Sequence, residues 1–435
     1  MDILKKQIKG IKQAAGILLY AVAFIFPVIS AGNPLFGISN INGVFISEFI
    51  ITIAGLMAFG FVDDPMRTIQ ALTPKQWIVI AGAFLYASIN VIAMFGSINM
   101  FESEGFVYIY INGFLLLTSS YLIFNKQKLD TLLFILAVSS TAVALYGIYQ
   151  TDFWYRHILE TNTILNHNVS ETAKNTFRAL GTFIHPNVMA GFLLMVIPPV
   201  YMLLIKSKYK LLLYIEALII TLGLFVTYSR AAIALYILSL PFLFMVLKKE
   251  NGAKKVLAYI STVILLAVLI LVFIISSYNS LNKHTLSFKY APSKLTAVND
   301  MSFIARKDFA MGAIDIIRHH PWTGTGPGTF NIAYRMYQKG AIYSRYAHNN
   351  YLEMASEIGI PGLTAYLVLI AGMLLSFGSA WKRGSVLAGV LLISLVSFML
   401  HTSIDFDYAS PAVVWLVFIY AGISLILSDK GYANR

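Results

Sequence analysis

Cysteine is absent from the 435-residue chain, which excludes disulfides, thiol catalysis and cysteine-based metal sites. Charge is scarce: Asp, Glu, Lys and Arg make up 12% of residues, about half the share of a soluble protein. Acids are nearly missing from the apolar runs, where Glu48 lies near one end and Glu216 alone sits well inside. No internal repeat is evident, and none of the short Lys-rich connections is large enough to bind a nucleotide. What the chain has is apolar surface: 58% hydrophobic residues and a mean hydropathy of +0.73. These residues recur in runs of about twenty, the length that crosses a bilayer as a helix. A soluble enzyme, a nucleic-acid binder and a disordered protein are excluded. The reading is an all-α integral membrane protein, a single polytopic membrane domain over 1–435.

The runs predict about twelve transmembrane helices, at 11–30, 44–57, 77–95, 106–124, 129–149, 187–205, 211–227, 231–247, 256–276, 363–377, 385–399 and 411–427. They are continuous rather than alternating, which selects helices over barrel strands. The first run resembles a signal peptide, with Lys5, Lys6, Lys9 and Lys12 before it, but reads as an uncleaved anchor because further spans follow. With a net charge of +12, the informative question is where the basic residues fall. One set of connections and tails carries those four lysines, Arg67, Lys75, Lys126, Lys128, Lys206, Lys208, Lys210, Lys248, Lys249, Lys254, Lys255, Lys382, Arg383, Lys430 and Arg435, nineteen of the 32. By the positive-inside rule that set is cytoplasmic, as are both termini. Two long loops, 150–186 and 277–357, are then outer, the second partly helical, and together with the outer ends of the spans they hold all eight histidines.

Several outer segments could carry chemistry. Residues 347–358 predict an amphipathic helix that Gly359 stops and Pro361-Gly362 restarts into the tenth span. His348, Tyr351, Leu352 and Ala355 share one face, and Asn349, Glu353 and Glu357 another. On composition alone, a membrane-surface helix merely capped by its histidine is the favoured reading. Gly324-Thr325-Gly326-Pro327-Gly328-Thr329-Phe330 reads as a turn or a phosphate cradle, and without a GK[ST] ending it is no P-loop. His319-His320 is a weak metal hint, since neighbours in sequence do not converge. Asp405-Phe406-Asp407 either binds a divalent ion or sits at the wet end of the eleventh span, the second being favoured. Arg230, in a tight turn between two spans, is costly there unless it meets an anion, either a lipid headgroup or a diphosphate. Arg178 and Arg306 lie in the long loops and can fold over the same place. Tyr334, Tyr337, Tyr343 and Tyr346 read equally as sugar platforms or as an interfacial belt.

Taken in order, these segments resemble the bacterial O-antigen ligases and related polysaccharide polymerases. His348-Asn349 followed by Gly359-x-x-Gly362 resembles that family's His-Asn…Gly-x-x-Gly motif. Residues 178–187, Ser229-Arg230-Ala231 (where the family has Gly in the last place), 324–330 and His401…Asp407 resemble further motifs in the same sequence order. The resemblance implies transfer of a preassembled glycan from undecaprenyl diphosphate to a hydroxyl acceptor on the outer face of the cytoplasmic membrane, with no cofactor, metal or nucleotide sugar. It implies His348 as the catalytic base or acceptor-orienting group, Arg230, Arg306 and Arg178 as diphosphate ligands, and Asn349, Tyr351 and Glu353 as supporting residues. The implied acceptor is lipid A–core for a ligase, or another lipid-linked repeat unit for a polymerase. Membrane lipids are partners and nucleic acid is not. A flippase or transporter fits less well, because such proteins usually show two similar halves.

Overall fold

The computed structural model describes residues 2–29, 40–60, 70–151, 178–281 and 301–429. Most of the first long loop, its His157 and His167, and His284 therefore lie outside the described residues. Among those described the chain is helical without strands. The helices are α1 (Asp2–Ile29), α2 (Asn40–Gly60), α3 (Pro74–Phe95), α4 (Met100–Ile123), α5 (Lys126–Tyr149), α6 (Pro186–Lys206), α7 (Lys210–Val226), α8 (Arg230–Asn251), α9 (Ala253–Leu281), α10 (Met301–His319), α11 (Phe330–Tyr337), α12 (Asn350–Lys382), α13 (Val386–Thr402) and α14 (Pro411–Ser428), with a 3-10 turn at Asp407–Ala409 before the last.

Each of the twelve expected spans falls on one helix. By length and composition, nine of the described helices can cross a membrane. The other three have shorter apolar stretches: α2 is apolar over Val44–Phe59, and α7 and α13 have 17 residues each, about 25 Å of helix against a hydrocarbon core of about 30 Å. α10 and α11 lie within residues 277–357.

Two helices form the centre. Every residue of α6 from Pro186 to Ile205 is buried, and nearly all of α14 is too. Their sequences are apolar on all sides, the pattern of a helix enclosed by others. α13 packs on α6, α4 on α14, and α3 on α12. Small residues permit the last approach. A Cβ at Gly82 would lie 2.5 Å from the Leu369 backbone nitrogen, and one at Gly372 2.8 Å from that of Val79. In a bilayer, where lipid tails are as apolar as leucine, such close packing is what holds helices together. α9 behaves oppositely, with Leu265, Leu269 and Phe273 exposed along it, as suits a lipid-facing helix.

The α3–α4 turn, the start of α6, the α7–α8 turn, residues 320–349 and the 403–410 segment gather at one end of the bundle. The Lys-rich connections before α5, between α6 and α7, between α8 and α9, and before α13 fall at the other. At the first end, Ile98 N–H donates to the Thr325 carbonyl at 2.9 Å, and Ser103 Oγ to that of Pro327 at 2.8 Å.

Candidate active site

The segment around His348 is fixed from both sides. Asn349, not His348, is the N-cap of α12, its side chain accepting from the amides of Tyr351 and Leu352, each at 3.0 Å. The expectation that His348 shares the helix face with Tyr351 is therefore corrected: His348 precedes the helix. Its φ is 52°, a left-handed conformation that costs an L-residue about 1–2 kcal/mol. Glu353 stabilises that bend by accepting the Ala347 amide at 2.8 Å. The Tyr351 hydroxyl donates to the Met399 carbonyl at 2.9 Å, tying the helix start to α13.

α12 kinks where the sequence predicts. Gly359 has φ 71° and ψ 176°, and a Cβ there would lie 2.3 Å from the Trp322 carbonyl oxygen. Glu357, two residues before, takes the amides of Gly328 and Phe330 on its two carboxylate oxygens, each at 2.9 Å. The Gly324–Phe330 turn thus spends those N–H groups on Glu357. It is a clamp on the kink rather than a phosphate cradle.

α10 brings in the next group. Ala305, Phe309, Ala313 and Ile316 recur at helical spacing and form a small core with Phe330, Ala333, Tyr334 and Ala347. That core sets Phe309 against His348, ring centroids 5.5 Å apart and nearly parallel, and leaves Arg306 on the adjacent side. It also settles one tyrosine: Tyr334 is fully buried and offers no platform. Tyr343 is exposed under Arg335, and Tyr346 stacks on Phe406 at 4.4 Å.

The residue that joins these pieces is Asp405. The reading of Asp405 and Asp407 as the wet end of a span is overturned, since they are 2% and 0% exposed. Asp405 Oδ2 accepts from Asn187 Nδ2 and lies 3.6 Å from Arg306 Nη2. Oδ1 accepts the Phe406 amide at 3.1 Å and lies 3.8 Å from His348 Nδ1. Arg178 closes the chain of contacts, its Nη2 donating to Asn187 Oδ1 and its Nε to the Thr227 carbonyl at 2.7 Å. Arg230 is exposed at the first residue of α8, on the turn that holds Arg178's anchor. Of the expected site residues, His348, Arg306 and Arg178 are therefore joined through Asp405, and Arg230 stands at the edge.

Burial holds His348 well below the ordinary histidine range, at about 4, with Asp405 pulling it up and Arg306 pressing it down. It is a neutral imidazole near pH 7 with its Nδ1 edge toward a carboxylate. Sequence reasoning missed Asp405, Asn187 and the rings of Phe309 and Phe406. Asn187 and Asp405 both stood inside motifs singled out above, but nothing in local spacing shows that they touch. Among the described residues no group of three or more His, Asp or Glu converges as a metal site.

A neutral imidazole and one guanidinium group beside a buried carboxylate, with a second guanidinium linked to it through Asn187, at one end of a membrane-type helical bundle, suit proton transfer beside an anionic substrate. Residues 215–367 match the family model described as O-antigen ligase, which supports the ligase and polymerase family that the chain's motifs resemble. The match includes Arg230, Arg306 and His348, while Arg178, Asn187 and Asp405 flank it. Among curated proteins, none matches the chain.

Proposed function

We propose that the protein is a lipid-linked glycan transferase of the ligase type, crossing the bacterial cytoplasmic membrane twelve times with both termini inside. The asymmetric placement of lysines supports that orientation, and it puts the Asp405 end outside, where nucleotide sugars are absent. The observation that carries the chemistry is the Asp405 cluster, which sets a neutral imidazole beside fixed cations.

The acceptor hydroxyl attacks the anomeric carbon of the donor, and its proton passes to His348 Nε2. Asp405 faces Nδ1–H and offsets the positive charge that the ring gains. The bond from the anomeric carbon to the diphosphate oxygen breaks with its electron pair leaving on the diphosphate. Arg306, Arg178 and Arg230 stabilise that growing charge through forked hydrogen bonds, the role a divalent cation takes elsewhere. A direct displacement inverts the anomeric centre. The uninterrupted His-Asn…Gly-x-x-Gly segment favours the ligase form, with lipid A–core as acceptor.

The test uses purified protein and an undecaprenyl-diphosphate-linked repeat unit, with chelator present. A single transfer that appears only when lipid A–core is added supports the ligase. A ladder from donor alone assigns the polymerase of the same family. Absence of both from folded protein, or suppression by chelator alone, defeats the scheme.

A further inference from the structure

A second histidine flanks the same cluster. His185 is the N-cap of α6, and its Nδ1 accepts the Asn187 amide at 3.2 Å, so the ring proton resides on Nε2. Pro186 follows at the first helical position, where its missing N–H costs nothing. Asn, Asp and Ser are the residues that cap helices best, and a capping role alone would be met by any of them. An imidazole instead brings a second ring nitrogen. Among the described residues no protein group accepts from that nitrogen. It is also absent from the sealed polar atoms, which include His348 Nδ1 and His401 Nε2.

The ring is held against the site. Its centroid lies 4.9 Å from that of Phe406, and the Phe406 centroid lies 4.7 Å from that of His348, so the two imidazoles flank one phenyl ring. Asn187, next but one in the chain, bridges Arg178 and Asp405. Burial, reinforced by Arg178, His348 and Arg306 and opposed by Asp405, keeps His185 neutral, down to about 3. A neutral donor suits such a place. It adds a hydrogen bond without a third cation crowding Arg178 and Arg306.

We propose that His185 donates its Nε2–H to a phosphate oxygen of the lipid diphosphate, making it a further binding residue beside the arginines. This rests on the transferase reading above and extends its diphosphate subsite to the start of α6. A hydrogen bond to a charged group is worth roughly tenfold to a hundredfold in affinity.

The experiment measures binding of undecaprenyl diphosphate, the glycan-free lipid, to full-length protein in nanodiscs, with thermal unfolding of each ligand-free variant in parallel. His185→Ser keeps a capping oxygen and removes the imidazole, and His185→Asp does the same while adding a charge that repels the diphosphate. The expected result is tenfold or greater weakening for Ser and a larger loss for Asp, with unfolding midpoints near wild type. Wild-type affinity in either folded variant overturns the proposal, as does weakening for Ser that only tracks a lowered midpoint while Asp binds normally. Failure of the wild-type protein both to bind this lipid and to transfer glycan removes the transferase reading, and the proposal with it. Transfer and binding by wild type, with unaltered binding by the variants, removes the proposal alone.

Discussion

Two His–Asp pairs, whose aspartates are two residues apart in sequence, lie at the same end of the bundle and differ in geometry. His401 Nδ1 and Asp407 Oδ2 are 2.7 Å apart, and both side chains are 0% exposed. Gly191 of α6 lets them close, since a Cβ there would lie 2.5 Å from Asp407 Oδ1. His348 and Asp405 are 3.8 Å apart, and His348 keeps 19% of its side chain accessible. The first pair is short and sealed, which makes it a fastening between α13, the 3-10 turn and α6. The second is long and partly open, with Arg306 on the same carboxylate, which leaves the imidazole room to take a proton. Under the proposed function, burial and reach of solvent, rather than residue type, separate the structural pair from the chemical one.

The comparison is sharpened most by removing the imidazole of the open pair. His348→Ala is expected to lower transfer by about 10²–10⁴-fold, the range for a general base, while the protein still inserts and elutes as a folded species. Full activity would take His348 out of the mechanism. The sealed pair should respond in the opposite currency. His401→Ala leaves a buried carboxylate without its partner, and breaking such a pair costs about 3–5 kcal/mol; thermal unfolding should fall markedly, while turnover per folded molecule stays near wild type. A selective loss of turnover with unchanged stability would move that pair into the chemistry.

Smaller effects test the cations. Arg306→Ala should weaken donor use, and Arg306→Lys should restore only part of it, because an ammonium lacks the forked geometry that matches a diphosphate. The KM for donor reads this directly, and complete rescue by lysine would argue for a simple point charge. The smallest expected effect is on pH dependence. With His348 held at about 4 against the 6.5 of an ordinary histidine, the folded state excludes a proton that the unfolded state binds between those values. Stability from this group is complete above about pH 6.5 and is lost as pH falls toward 4. For the same reason kcat/KM should stay flat from pH 8 to about pH 5.5 on the acid side. An inflection near 6.5 would mean that His348 is solvated in the free enzyme.

The helices were legible because each apolar run is a local signal, and so was the Gly359 kink, where a stop and a restart lie within four residues. His348, Arg306 and Arg178 were legible as residue types in outer segments, and family motifs raised them above their neighbours. Asp405 was not. As a carboxylate just past a span it reads as solvated, and Asn187 from the start of α6 and Arg306 from α10 help to make its burial tolerable. Those partners are remote in sequence, so no spacing rule reaches them. The same reasoning explains the Gly324–Phe330 turn, whose glycine pattern suits an anion but whose amides are taken by Glu357, remote in sequence.

Whether Asp405 serves His348 rather than merely the fold is tested most directly by Asp405→Asn. Turnover and the unfolding midpoint would be measured on one preparation with the undecaprenyl-diphosphate-linked donor. The predicted result is a loss of turnover of about tenfold or more with a midpoint close to wild type. Wild-type turnover, or a loss that only follows the fraction of unfolded protein, would contradict it.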